Sequence, residues 1–225
     1  MKRAALLGLC LSMLPTVALA GDLGVELPSE AGRNAASVRV GVDDALVTMG
    51  LGYTRGIALP RIRRSLMVGG SFAMPMTRPD FGDFEVGANV RMDAVRARGF
   101  ALPVAQGVSL VRTGNELFDG VGLMTWTATY PGYYRPRWFA ATEVRWDQTW
   151  ASHLRHRAPY DTVIYPGAVD GWYAVPTWAM RYGLRAGGLV HPRVELMLRG
   201  GYQQTPGLDP LSPPLYVDLT MAVRF

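Results

Sequence analysis

The chain closes on Leu215-Tyr-Val-Asp-Leu-Thr-Met-Ala-Val-Arg-Phe225, and the fold turns on how that stretch is read. In an extended strand Leu215, Val217, Leu219, Met221, Val223 and Phe225 fall on one side, and Tyr216, Asp218, Thr220, Ala222 and Arg224 on the other. One side is wholly apolar and the other mostly polar. The same alternation recurs upstream at Ser37 to Asp43, Val47 to Thr54, Ser65 to Met74, Phe84 to Val95, Phe100 to Arg112, Val121 to Tyr130, Trp138 to Trp150, Trp172 to Ala186 and Val194 to Gln204. No apolar stripe at helical spacing competes with it. The pattern predicts about ten strands, most near the roughly 9 to 11 residues of a tilted membrane strand.

A long alternating strand that ends the chain on Phe225 resembles the closing strand of bacterial outer-membrane β-barrels, a broad class of proteins. The resemblance implies an all-β fold, a closed antiparallel transmembrane β-barrel of about ten strands, with eight as the alternative. It also implies a Gram-negative cell envelope, contact with outer-membrane lipid and lipopolysaccharide, and delivery to the barrel-assembly machinery through the C-terminal strand.

The N-terminus fits export. Lys2 and Arg3 precede an apolar run from Ala4 to Leu14, and Ala18-Leu19-Ala20 supplies a small-residue cleavage pattern, as in a secretory signal peptide. Residues 1–20 are therefore expected to be removed, 21–36 to form a flexible N-terminal segment and 37–225 to form the barrel. Removing 20 of 225 residues takes Cys10 with it, so no disulfide is expected and the hydrogen-bonded sheet must hold the fold together. Lys2 and Arg3 also leave, and every remaining basic residue is Arg. The mildly basic balance points to no nucleic-acid partner. No later apolar run reaches the roughly 20 residues of a helical span, so a membrane crossing requires strands.

Connection lengths suggest two unlike ends. Counting back from Phe225, the breaks at Thr205 to Pro214, Ser152 to Gly171, Thr113 to Gly120, Pro75 to Asp83 and Asp43-Asp44 become external. Those at Gly187 to Arg193, Pro131 to Arg137, Arg96 to Gly99 and Ala58 to Arg64 become periplasmic turns, the shorter kind in barrels of this class. The second set holds arginines and no acid, whereas the first is mainly acidic. Aromatic residues supply a ruler. Trp138 and Trp150 are 12 residues apart on one face, which at about 3.3 Å per residue and a tilt near 45° is roughly 28 Å along the membrane normal. Trp172 and Tyr182 are expected to do the same on the next strand. Tyr130 and Phe225 complete the predicted girdle with these four.

Opposite the apolar faces stand Glu85, Arg91, Asp93, Glu143, Arg145, Asp147, Arg181, Arg185, Glu195, Arg199, Asp218 and Arg224. Arginine near the bilayer midplane costs about 2 to 4 kcal/mol, so these groups are expected to face the lumen as an interlocked charge network. Through the Gly187 to Arg193 turn, Arg185 is expected opposite Glu195. Inward Gly50, Gly52, Gly183 and Gly201 would make room for the arginines. A barrel of this size is narrow enough for side chains to fill.

The Ser152 to Gly171 loop is the longest connection and holds the surface-binding candidates His153, Arg155, His156, Arg157 and Asp161. The histidines with Asp161 match no zinc spacing, and Ser152, His153 and Asp161 lack a nucleophile-elbow motif. No catalytic residue, metal or cofactor is assigned. Arg155 and Arg157 suit lipopolysaccharide phosphates by bidentate hydrogen bonding. The expected role is a structural or surface-interaction barrel in the outer membrane, porin-like in build, with limited small-solute passage. The alternative is a lipid A-modifying or protease-like enzyme with its site at the extracellular rim.

Overall fold

The structure, a computed structural model, describes residues 32–43, 46–59, 64–76, 82–114, 117–157, 169–174, 177–205 and 214–225. In chain order the strands are β1 (Asn34–Asp43), β2 (Leu46–Leu59), β3 (Arg64–Pro75), β4 (Phe84–Ala97), β5 (Phe100–Gly114), β6 (Phe118–Thr129), β7 (Gly132–Tyr134), β8 (Trp138–His156), β9 (Gly171–Tyr173), β10 (Thr177–His191), β11 (Val194–Gln204) and β12 (Leu215–Arg224). Ten long strands pair antiparallel, and β1 meets β12 through Val38 opposite Met221, which closes the sheet into a ten-stranded barrel. Closure leaves the barrel no free edge.

Alternation sets which side chains go where. Along β12 the odd-numbered apolar residues are exposed, while Tyr216, Asp218, Thr220, Ala222 and Arg224 are buried. The arrangement is inside-out for a water-soluble body: Val217 is 53% exposed while Arg145 and Arg181 are 0% exposed. With every backbone group of a spanning strand paired to its neighbours, such a surface is suited to hydrocarbon.

Several boundaries differ from the sequence expectation. β1 begins at Asn34 rather than Ser37, so Asn34–Ala36 belong to the barrel. The strand expected to stop at Tyr130 runs on as β7 in unchanged register, with Thr129 opposite Val104 and Gly132 opposite Ala101. Pro131 has no N–H and breaks the ladder, but its carbonyl still accepts from the Thr142 amide at 3.0 Å. β8 continues past Trp150 to His156. The strand expected from Trp172 to Ala186 is divided into β9 and β10, and the sequence between them holds Pro176, which has no N–H for a ladder.

Turn geometry explains the remaining shifts. Arg98 and Gly99 both have positive φ, 50° and 95°, the two-residue type I′ geometry whose twist matches a hairpin, and β4 and β5 meet at Ala97 and Phe100. The β10–β11 turn is likewise tight, at Pro192-Arg193, so β10 runs on from the expected Ala186 to His191, while β11 keeps the expected bounds Val194–Gln204. That moves the register: Arg185 lies opposite Arg199 and Glu195 opposite Leu189, so Arg185 and Glu195 do not stand opposite each other as expected.

Candidate functional site

The lumen is built from two unlike walls. Inward positions on β2 to β5 are mostly small, among them Thr54, Ser71, Ala73, Ala105, Gly107 and Ser109. Those on β8, β10, β11 and β12 carry the long charged side chains. The small wall is what lets the large side chains cross the barrel. A Cβ on Gly107 would stand 2.4 Å from the Trp126 ring, so that indole occupies space a side chain would take. The Arg145 guanidinium lies 4.4 Å from the centre of the same ring.

Within this interior the charges interlock. Arg145 donates to Asp147 Oδ1 at 2.6 and 2.8 Å. Arg199 bridges Asp218 at 2.5 Å and Glu143 at 3.2 Å. Arg185 approaches the other Glu143 oxygen at 3.5 Å and packs 3.9 Å from the Tyr130 ring centre, with Arg91 on that ring at 5.3 Å. Arg181 donates to Gln203 at 2.5 Å, Arg224 to Glu195, and both Arg181 and Arg199 face the Tyr216 ring. Glu85 is buried on the same side of the sheet. Aromatic faces thus serve as weak acceptors for cations that carboxylates alone do not fully surround.

Of the twelve charges expected inside, eleven are buried. Asp93 is the exception. It sits beside a bulge at the short-turn end of β4, 28% exposed, and pairs with Arg96 at 2.5 Å. Arg39, buried at 2%, was missed by the sequence reading although its alternation with Val38, Val40 and Val42 marks it as inward. Trp126 and Tyr216 were missed as partners of the arginines. At the short-turn end the filling changes character: Ala101, Tyr134, Phe139, Ala141 and Met197 form an apolar cluster, with Tyr134 stacked on Phe139 at 5.6 Å.

The outer face carries the aromatic residues unevenly. Trp138 and Phe225 are exposed at strand ends, Trp150 is exposed six residues before the end of β8, and Trp172 is exposed on β9. Tyr130 does not join them. It shares the inward face of Trp126 and Ala128 and is 0% exposed, because β6 turns Thr125, Thr127 and Thr129 the other way. Tyr182 faces outward but lies opposite Val144, midway between Trp138 and Trp150, so it is no rim residue. It stacks on Tyr202, as Trp146 stacks on Trp178.

At the long-loop end, β9 zips onto β8 through Ser152–Tyr173, His153–Trp172 and Leu154–Gly171. His153 meets the Trp172 ring edge-on at 5.3 Å. Asp170 Oδ1 accepts the His156 backbone N–H at 2.7 Å and lies 3.1 Å from His156 Nδ1. The backbone donor is the main reason that the Asp170 carboxyl is held below the ordinary carboxylate range. Arg157 donates twice to Asp119, at 2.7 and 3.1 Å, while Arg155 is exposed; Asp161 lies outside the described residues. Ser152 is buried and its neighbour His153 lies on the opposite strand face, so the two do not form a nucleophile and base. His153 and His156 also fall on opposite faces, and among the described residues no group of three or more His, Cys, Asp or Glu is placed to hold a metal.

A closed antiparallel sheet with enclosed charges and an apolar exterior defines a small β-barrel of the outer-membrane type. One solved structure with a TM-score above 0.5 agrees at the level of fold. An outer-membrane channel from Pseudomonas putida F1 superposes with a TM-score of 0.58 at 8% identity, over 92% of this chain and 100% of that one. The β domain of the Bordetella autotransporter BrkA matches with a TM-score of 0.45 at 14% identity, over 87% and 100%. The translocator domain of the autotransporter NalP from Neisseria meningitidis gives 0.42 at 12%, over 99% and 95%. No family model matches the chain, and no curated protein does.

Proposed function

We propose that this protein is an exported, integral outer-membrane barrel whose lumen is shut at rest and whose role is structural or exercised at its outer surface. The observation that carries this reading is the burial of the midsection: Arg145 and Arg181 are 0% exposed and Glu85, Glu143 and Arg185 no more than 1%. Side chains lining a water-filled passage would be wetted. Passage of small solutes requires several arginines to leave their carboxylate and aromatic partners together.

Planar-bilayer recording of the purified barrel tests this. The expected result is no steady conductance, with at most brief small events. Stable open steps at modest voltage would overturn it. A rim enzyme finds less support, since Ser152 and His153 point to opposite faces of β8.

A further inference from the structure

At the short-turn end, two neighbouring turns hold arginines over exposed aromatic rings. Arg98 lies in the β4–β5 turn, Arg135 and Arg137 in the β7–β8 turn, and all three are exposed. The turns are tied together: the Tyr134 amide donates to the Gly99 carbonyl at 2.7 Å, and the Tyr133 hydroxyl to the Arg98 carbonyl at 3.2 Å. The Arg135 guanidinium lies 4.9 Å from the centre of the Tyr133 ring, with Nη2 3.4 Å from that hydroxyl. Gly99, at a φ of 95°, gives it room, since a Cβ there would stand 3.3 Å from the Arg135 Cζ. The neighbouring acid, Asp93, is bound by Arg96 at 2.5 Å. Arg98, Arg135 and Arg137 form no ion pair among the described residues, and the four short turns hold no acid. With Arg96 and Asp93 cancelling, this sector keeps about three positive charges.

Depth identifies what such a cluster meets. Phe100 stands opposite Tyr133, and Tyr133 opposite Ala140, two residues from Trp138. The exposed Phe100, Tyr133 and Trp138 therefore form an aromatic band on the outer face, the feature that marks the edge of the hydrocarbon. Arg98 is two residues beyond Phe100 and Arg137 one beyond Trp138, roughly 5 and 2 Å along the membrane normal by strand rise and tilt. Arg135 folds back onto the Tyr133 ring itself. The interfacial layer is about 5 to 7 Å thick, so all three cations lie within it.

We infer that Arg98 and Arg135 bind the phosphodiester of an anionic glycerophospholipid in the leaflet at the short-turn end, with Phe100, Tyr133 and Trp138 against its acyl chains and Arg137 on its flank. Guanidinium forks match phosphate oxygens in bidentate geometry. The Tyr133 ring fixes the plane of Arg135 without neutralising it, which a carboxylate in the same place would do. A headgroup carrying its own ammonium would meet three like charges, so the site selects a lipid with net negative charge. This inference rests on the outer-membrane reading above and names a lipid partner of that barrel.

Native mass spectrometry of the detergent-purified barrel tests it with phosphatidylglycerol, phosphatidylcholine, diacylglycerol and glycerol 3-phosphate as separate probes. The unaltered barrel should retain phosphatidylglycerol in preference to the other three. Arg98→Gln combined with Arg135→Gln should weaken that binding at least about 10-fold, given two lost charge-assisted bonds. Arg98→Lys combined with Arg135→Lys keeps both charges and should bind more tightly than the glutamine pair. Arg155→Gln, at the long-loop end, should leave binding unchanged. An unaffected glutamine pair, or lysine and glutamine pairs of equal affinity, would overturn the site. So would retention of no lipid, the result if Asp22, Glu26 and Glu30 of the N-terminal segment neutralised the arginines. Equal retention of phosphatidylcholine or diacylglycerol would remove the anionic assignment, and equal retention of glycerol 3-phosphate the lipid one. A conducting lumen in the bilayer assay would refute the closed-barrel reading while leaving these results untouched, and a barrel soluble without detergent would refute the membrane reading before any lipid is offered.

Discussion

Replacing Glu143 by alanine removes the carboxylate that two buried arginines share. Its Oε1 lies 3.2 Å from Arg199 Nη1 and its Oε2 lies 3.5 Å from Arg185 Nε, with neither side chain more than 1% exposed. Arg199 keeps Asp218 at 2.5 Å, so the larger loss falls on Arg185, which keeps the Tyr130 ring at 3.9 Å. Removing one member of a buried ion pair costs about 3 to 5 kcal/mol, and a desolvated cation–π contact offsets about 2 of that at most. The expected destabilisation for Glu143→Ala is therefore at least about 1 to 3 kcal/mol. Glu143→Gln keeps the shape and an acceptor but not the charge, and should cost about 1 to 2 kcal/mol. Arg185→Met in the Glu143→Ala background should recover part of the loss by removing the stranded cation. Equilibrium urea unfolding in lipid vesicles, followed by tryptophan fluorescence, measures all three. A Glu143→Ala barrel within about 0.5 kcal/mol of the unaltered one, or a double variant less stable than the single by the full cost of Arg185→Met alone, would refute the argument that this charge is structurally coupled.

Gly107→Ala should lower the urea midpoint by the equivalent of about 1 to 3 kcal/mol, because its Cβ meets the Trp126 ring at 2.4 Å, whereas Gly70→Ala, with its nearest neighbour at 3.7 Å, should cost far less. The Asp170–His156 contact gives a pH dependence at the rim. The folded carboxyl has a depressed pKa, so its contribution is fully present above the ordinary carboxylate value and is lost as pH falls through the lower folded one. Hydrogen exchange of the His156 amide, corrected for intrinsic rates, should show protection that is constant near neutrality and falls only in strong acid; Asp170→Asn should be flat with pH and less protected.

The alternation along β12 and the middle of β8 was legible because the outward Leu215, Val217, Leu219, Met221, Val223, Val144 and Trp146 are apolar, while the inward Asp218, Thr220, Arg224, Glu143, Arg145 and Asp147 are polar. β6 breaks it. Its outward Thr125, Thr127 and Thr129 read as polar, and its inward Trp126 and Tyr130 read as apolar. The physical reason is visible on both faces. The Thr129 hydroxyl donates to the Pro103 carbonyl at 3.2 Å and Thr125 accepts from the Trp150 indole at 2.8 Å, so two of the three hydroxyls are partly satisfied by the barrel itself. Inside, the rings cover Arg145, Arg185 and Arg91. Neither partnership is encoded within the strand that shows the anomaly. Register was illegible for a related reason: the Arg185–Glu195 expectation depended on turn length, and a two-residue turn moved every pair on β10 and β11 together.

On the closed-lumen reading, two different kinds of contact obstruct the interior, and this bears on what the barrel is able to do. Through the middle, ionic and cation–π contacts hold the arginines; at the short-turn end, Tyr134, Phe139 and Met197 close it without any charge. Salt weakens exposed ion pairs, but a network this buried is screened little. The apolar cluster does not respond to salt or voltage in the same way, since moving it exposes hydrocarbon surface rather than displacing charge. A barrel built for regulated passage would place its obstruction where one signal is able to act on it. Here an opening must undo both layers, across the barrel and along it. On the closed-lumen reading proposed above, that is the arrangement of a filled strut, and it directs the search for activity to the outer rim.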